Sequence, residues 1–427
     1  MSTWTLEGIP CYYSNRELTQ NLWAVESFKL IYDLTIHGAS LESLLQQPDL
    51  MRLSRERLKK IREQVDAQLR RYKSLLSPLE WKKIDQQKYM SSYGMKAGSS
   101  FLVHNIDNIF RDWCWGEEEN KASFACLQKV MSDLKITSKD HMLVLGSGAS
   151  RLAYDFHQAF PLQKTFAVDY NPLFHLLVRK IVCGESFSFC EFPIVPVKAE
   201  DFAVERILRA PSPVRAGFEL ILGDITDEEF VWPQSNFVLT PWLIDVVSMD
   251  FSQLLTRLNK HLAVGGTWIN YGPLGFNNPR LQDYYSFEEV NHLLKKHGFK
   301  VLKSSYEFAP YLQSPSSNSH RMERVYAFVA EKTSEAEEVE SVVANSLPEW
   351  LLDHKKAITI PVQAMRLEEG FAFNVKIAQL LKQNLNFQEL VDRLHSEMQV
   401  EKTQLTSVVH HILLNFYQQS LLNPHDH

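Results

Sequence analysis

The stretch His141–Asp169 constrains this chain more than any other. An apolar run, Met142–Leu145, breaks at Gly146-Ser147-Gly148; an apolar-periodic segment follows through Leu152, Ala153 and Phe156, and a second apolar run ends on Asp169. The pattern predicts a strand, a glycine loop, a helix and a second strand closed by an acid. Glycines let the backbone approach a ligand, a helix start offers free N–H groups, and the acid accepts hydrogen bonds from ribose hydroxyls. The unit therefore predicts a nucleoside or nucleotide site. Glycine as plain turn punctuation is the alternative, and the position after a strand, before a helix and about twenty residues ahead of an acid argues against it.

At 427 residues and 45 % hydrophobic composition the chain has room for two or three domains with substantial cores. The net charge of −6 is small for this size and no basic block stands out, so no nucleic-acid partner is expected. Cys11, Cys114, Cys126, Cys183 and Cys190 include no Cys-x-x-Cys pair, which argues for reduced thiols and against a disulfide scaffold or a zinc knuckle. The scattered histidines form no visible metal site. No basic stretch followed by an apolar core opens the chain, and no segment approaches about eighteen uninterrupted apolar residues. A soluble cytoplasmic protein without membrane contact is expected.

Helical spacing of Leu22, Val25, Phe28, Ile31 and Leu34 predicts a first helix that stops at Gly38. Leu58, Ile61, Val65 and Leu69 make one stripe of a second, strongly charged helix over Leu53–Leu75, and Ser77-Pro78 starts a short third one. Ser91–Ser100 reads as a turn-rich joint. The aromatic segment Ser100–Lys135 is helical by period and places Asn108, Arg111 and Asp112 within one turn beside Trp113 and Trp115. It is either a packing helix or a lid whose Arg111 meets a carboxylate.

Beyond Asp169, a helix from Pro172 to Val182 precedes an irregular stretch, Glu191–Pro213. The apolar runs Phe218–Leu222 and Phe237–Leu239 lead into Gly223-Asp224 and Thr240-Pro241-Trp242-Leu243-Ile244-Asp245, and such C-terminal strand ends are where an open α/β sheet binds its ligand. A helix over Phe251–Leu262, a strand over Thr267–Tyr271, a helix capped by Ser286 and Glu289, and strands Phe299–Phe308 and Glu323–Glu331 complete the α/β pattern. An acidic run, Glu331–Glu340, leads to helical stripes between Leu347 and Leu422, in which Phe387 and Leu390 are expected to be buried as in a small winged-helix-like module. Docking of a partner or dimerisation is the expected role of that module.

Dinucleotides and S-adenosylmethionine share the opening unit. The turn Leu262-Ala263-Val264-Gly265-Gly266 resembles the Leu-x-Pro-Gly-Gly turn of class I methyltransferases, and the closing helix-strand-strand fits their sheet, whose final strand inserts antiparallel. The ordered elements Arg111–Trp113, Val144–Ala153, Leu222–Asp224, Leu243–Asp245 and Trp268–Leu274 (WINYGPL) resemble the carnosine N-methyltransferase family over Asn105–Glu331. The resemblance implies a Rossmann-like seven-stranded α/β sheet of the class I methyltransferase kind, with an N-terminal helical region over 1–97, a methyltransferase domain over 98–332, and an acidic linker with a mostly helical C-terminal domain over 333–427. It also implies S-adenosylmethionine as cofactor and transfer of its methyl group to an imidazole nitrogen of a histidine-containing small molecule or peptide.

Carried over position by position, the resemblance implies that Asn108 and Arg111 reach over the cofactor, with Arg111 on its methionine carboxylate. Gly146, Ser147 and Gly148 would approach the methionine part, Asp169 and Tyr170 the ribose, and Asp224 and Ile225 the adenine; Arg151, Thr240 and Pro241 complete the cofactor set. Asp245 matches the family's substrate-binding aspartate, and a carboxylate there makes chemical sense: it fixes the imidazole tautomer and stabilises the cation that methylation creates. Helix N-capping before Val246–Leu254 is the other role open to Asp245. Where the family has a histidine and tyrosines near the substrate, this chain has Asn277 or Asn278 and Arg321-Met322, so Asn277, Tyr271 and Arg321 are pocket candidates by position. A larger acceptor recruited by the C-terminal domain, or a non-catalytic binding scaffold, are the competing readings.

Overall fold

A computed structural model describes residues 4–87, 89, 99–227, 229–276 and 284–336, with parts of the C-terminal region between 358 and 424. The expected joint over 91–98, the linker over 337–340, and Asn277 and Asn278 lie outside the described residues.

Strands β1 (Trp4–Leu6) and β2 (Ile9–Tyr12) form a hairpin ahead of two long helices, α1 (Arg16–Leu45) and α2 (Arg52–Leu75). Gly38 does not stop α1, contrary to the sequence expectation. It stays inside the helix, where a side chain would press on the Arg62 guanidinium of α2 at 3.4 Å. A short helix α3 (Asp107–Phe110) runs into a π-helical turn, Arg111–Trp115, and then into α4 (Glu117–Val130).

The α/β region follows as β3 (His141–Leu145), α5 (Arg151–Ala159), β4 (Lys164–Asp169), α6 (Pro172–Val182), the antiparallel pair β5 (Phe187–Glu191) and β6 (Val204–Leu208), then β7 (Phe218–Gly223), β8 (Phe237–Pro241), α7 (Phe251–His261), β9 (Thr267–Tyr271), α8 (Phe287–Lys296), β10 (Phe299–Tyr311) and β11 (Arg321–Lys332). Strand β6 falls inside the stretch read as irregular, Glu191–Pro213, and its partner β5 ends at the first residue of that stretch. Short strands broken by prolines carry little periodicity.

The main sheet runs β1-β2-β7-β4-β3-β8-β9-β11-β10. Strands β7, β4, β3, β8 and β9 are mutually parallel, and β11 lies antiparallel to both β9 and β10. This is the expected seven-stranded sheet with its antiparallel last strand, lengthened at one edge by the N-terminal hairpin, whose β2 pairs parallel to β7. The N-terminal region is thus helical only after Tyr12.

Alternation along β3 divides the core: Met142 and Val144 pack on one face with the aromatic segment and α5–α6, whereas Leu143 and Leu145 pack on the other with α7 and α8. Such double-sided burial belongs to a parallel sheet covered by helices. In the C-terminal region, helices α9 (Ala372–Leu381) and α10 (Phe387–Met398) share a core of their own that includes Leu380, Phe387, Leu390 and Leu413. Among the described residues no helix is long and apolar enough to cross a membrane.

Candidate functional site

The C-terminal ends of the parallel strands open into a cavity of about 590 Å³. One wall is the glycine loop after β3. Gly146 and Gly148 hold φ of +65° and +52°, the left-handed region that costs a side-chain-bearing residue about 1 kcal/mol. A side chain at Gly146 would strike Leu243 at 2.6 Å, whereas one at Gly148 would meet nothing within 4 Å, because the loop faces the open cavity there. Ser150 stands where a third glycine is usual and takes the left-handed conformation itself, its N–H donating to the Ser147 carbonyl at 2.7 Å.

Asp169 at the end of β4 braces this loop. Its carboxylate accepts the Gly148 N–H at 2.8 Å and the Asn171 N–H at 2.9 Å. Burial raises its pKa, and the His175 ring and three backbone N–H groups oppose that rise. Asn171 in turn caps α6 through the Leu173 N–H at 3.0 Å, with Pro172 at the first helical position. Asp224, whose carboxylate takes the Thr226 N–H and hydroxyl at 2.8 and 2.6 Å, lines the same cavity with Ile225, Tyr170 and Pro241.

The aromatic segment arches over this wall. Trp113 donates its indole N–H to the Ala149 carbonyl at 2.7 Å, which pins the π-helical turn to the glycine loop. Arg111 lines the cavity with Nε and Nη2 held by one Asp112 oxygen at 2.8 and 2.7 Å, and it lies over the Tyr311 ring at 5.2 Å. Burial works against its charge, and Asp112, Tyr311 and Glu119 together outweigh burial, so its pKa lies above the ordinary value. Asn108 accepts the Tyr311 hydroxyl at 3.2 Å. The segment thus lines the cavity with Asn108, Arg111 and Asp112, while Trp113 is core.

Arg151, expected in the cofactor set, is not among the residues that line the cavity. Its guanidinium bonds Asp155 at 2.9 Å, Glu117 at 2.9 Å and the Asp112 carbonyl at 2.8 Å. It bolts α5 to the segment that carries Arg111. Thr240 is likewise off the cavity, because its hydroxyl is used inside the sheet by Asn270 and the Trp268 indole at 2.8 and 2.9 Å. Tyr271 is buried beneath Trp242 and does not reach the cavity, and burial pushes its phenol up to about 12. Arg321 is exposed at the start of β11, over the Tyr311 ring at 5.0 Å and paired with Glu323.

Asp245, in the turn after β8, also lines the cavity. It does not cap a helix; Asp250 caps α7 by accepting the Ser252 N–H at 2.8 Å. The Oδ1 atom of Asp245 is buried with no hydrogen-bond partner. Burial pushes its carboxyl up to about 6; its own backbone N–H opposes this, Glu323 adds to it, and Arg321 offsets part of it. A carboxylate oxygen left bare in a cavity wall is a group prepared to accept an N–H from a ligand.

Trp242 and Tyr311 were not foreseen as lining residues. Their rings lie 4.5 Å apart above the cavity, with Trp242 at φ +51° and its N–H on the Tyr271 carbonyl at 2.6 Å. Tyr311 arrives because β10 runs three residues beyond the predicted end at Phe308, and Glu119 of α4 then grips the chain by accepting the Leu312 and Gln313 N–H groups at 3.0 and 2.8 Å.

Residues 191–334 match the family model described as carnosine N-methyltransferase, a span that includes Asp224, Asp245 and β7 to β11 and leaves the glycine loop outside. The match agrees with the motif resemblance, and together with the strand order it marks a methyltransferase with a class I fold. Comparison with curated proteins finds no match. Similar solved structures include a Methanococcus maripaludis protein described as an S-adenosyl-L-methionine-dependent methyltransferase, at 13 % identity and TM-score 0.36, covering 58 % of this chain and 100 % of that one. The N-methyltransferase NodS of Bradyrhizobium japonicum aligns at 10 % identity and TM-score 0.32, covering 51 % of this chain and 98 % of NodS.

Proposed function

We propose that this methyltransferase uses S-adenosylmethionine to methylate an imidazole nitrogen of a histidine-containing small molecule or peptide. The carrying observation is the unpartnered buried Oδ1 of Asp245, which lines the same cavity as the glycine loop and Arg111. The residues fit the cofactor: open space over Gly148 suits its methionine part, the Asp169 carboxylate its ribose, the Asp224-Ile225 pair its adenine, and Arg111 with Asn108 its carboxylate end. When bound, it supplies a methyl group on a sulfonium sulfur. Asp245 accepts the N–H of one ring nitrogen of the acceptor, which leaves the lone pair on the other nitrogen free for the methyl carbon. It also offsets the positive charge that methylation leaves on the ring, and it can take up the proton that is then lost. Trp242 and Tyr311 wall the cavity, which limits water and restricts the geometry of approach.

Calorimetric titration of S-adenosylmethionine and S-adenosylhomocysteine into wild type, Arg111→Ala and Asp169→Ala tests the cofactor side. Each substitution is expected to weaken binding by about 1.5–3 kcal/mol, the usual loss for a hydrogen bond to a charged group. Wild-type protein that binds neither compound excludes the proposal. Binding then justifies a screen of histidine-containing acceptors.

A second reading is favoured by the absence of Tyr271 and Arg321 from the cavity wall and by the separate core of α9 and α10: a larger acceptor delivered by a C-terminal domain over 333–427. Removing the residues after Leu347 distinguishes the two. Activity lost on a large acceptor and kept on a free small one supports delivery.

A further inference from the structure

A second cleft, of about 530 Å³, is lined in part by the C-terminal half of α6. It is built by three separate parts of the chain. The C-terminal half of α2 contributes Arg70 and Arg71, the last turns of α6 contribute Arg179 and Lys180, and the turn of the N-terminal hairpin contributes Glu7. Phe187 at the start of β5, with Leu75 and Leu176, gives it an apolar floor, and Ser74 and Ser77 add hydroxyls.

Among its lining residues, four cations face a single carboxylate. Glu7 reaches only Arg179, at 3.7 Å, and both side chains are about half exposed, so that pair is weak. Cations near helix C-termini complement the helix dipole, which accounts for their presence in both helices. It does not account for Arg71. That guanidinium spends Nη2 on Ser188 and Glu205, and its Nη1 is buried with no partner. A buried donor left without an acceptor costs about 1–3 kcal/mol, and an incoming anion removes that cost. The Lys180 ammonium lies over the Phe187 ring, 5.3 Å from its centroid, and so brings a charge onto the apolar floor of the cleft.

We propose that this cleft binds a small phosphorylated ligand with a flat apolar body, a nucleoside monophosphate by chemical class, at a site separate from the methyl-transfer cavity. Arg70, Arg71 and Arg179 line the cleft and supply guanidinium groups suited to a phosphate, while Leu75, Leu176 and the uncovered part of Phe187 meet the base. The two sites share one element. Asn171 and Phe174 at the start of α6 line the first cavity, and Arg179 and Lys180 line the second about 10 Å further along the helix.

The test is calorimetric titration of the full chain with AMP, inorganic phosphate and adenosine. AMP is expected to bind at one site per chain, phosphate to compete with it, and adenosine to bind at least about tenfold more weakly. Arg70→Ala with Lys180→Ala, and separately Arg71→Lys, are each expected to weaken AMP by about tenfold or more, while Asp169→Ala in the first cavity leaves AMP affinity unchanged. Thermal melts confirm that the variants fold, and Arg71→Lys keeps the charge if the double variant does not. No binding of AMP, adenosine binding as tightly as AMP, affinity unaltered in the folded variants, or loss of AMP binding in Asp169→Ala each overturns the proposal.

Discussion

Asp245→Asn is expected to stabilise the folded protein and to disable it. The carboxyl is lifted from 3.8 to about 6, first by burial, so between those values the folded chain holds a proton that the unfolded chain has released. The unfolded state therefore binds fewer protons over that range, and stability falls as pH rises through it. About two pKa units at 1.36 kcal/mol each amount to roughly 3 kcal/mol, fully present as a penalty above pH 7 and absent below about pH 4. Asparagine cannot ionise and escapes that penalty. Urea unfolding of wild type and variant across pH 4–8 measures the difference, which should grow by roughly 2–3 kcal/mol in favour of the variant as pH rises. Methyl transfer follows the opposite course: wild-type kcat/KM should rise with pH through an apparent pKa near 6, and the variant should lose about a hundredfold and that inflection with it. A stability difference that is flat with pH, or a variant less stable at pH 8, would refute the burial argument. An unchanged kcat/KM on an imidazole acceptor would refute the assigned role.

Four further substitutions separate site from scaffold. Gly148→Ala should cost about 1 kcal/mol of stability for its φ of +52° yet weaken S-adenosylhomocysteine markedly, because its methyl enters open cavity; Gly146→Ala, 2.6 Å from Leu243, should cost about 2–3 kcal/mol, both read by denaturant unfolding and calorimetry. Arg151→Met should lower stability by about 3 kcal/mol, chiefly through loss of its largely buried pair with Asp155, the Glu117 partner being half exposed; unchanged stability with lost cofactor affinity would instead place Arg151 at the cofactor. Asp250→Ala should cost about 1 kcal/mol as a lost helix cap with turnover retained, the reverse of Asp245→Asn.

What the sequence made legible was local. The glycine loop, the acid at the end of β4, the proline-started helix α6 and the Ser286–Glu289 capping box each depend on residues within a few positions of one another, where turn chemistry and period act directly. The N-terminal hairpin was equally local and was overlooked: Trp4, Leu6, Ile9 and Cys11 alternate around Glu7-Gly8, and all four are buried. Arg151 was misread because an arginine behind a glycine loop resembles a ligand contact. Asp155 four residues later was the readable sign of an internal pair.

Other features depend on partners that periodicity cannot name. Tyr311 meets Asn108 across 203 positions of sequence, and its place over Arg111 follows from how far β10 extends and from the grip of Glu119 on Leu312 and Gln313. The π-helical turn is likewise set from outside. Gly116 donates to the Arg111 carbonyl at 2.9 Å, five residues back, while Trp113 is held by Ala149 and the Asp112 carbonyl by Arg151. Those ties rotate Arg111 toward the cavity and bury Trp113 on the other side of the same turn. The wider turn adds a residue to the helical circuit, which a reading based on a period of 3.6 has no means to detect. Arg151, absent from the cavity, thus acts on it through Asp112, so its loss should misplace Arg111 as well as destabilise the chain.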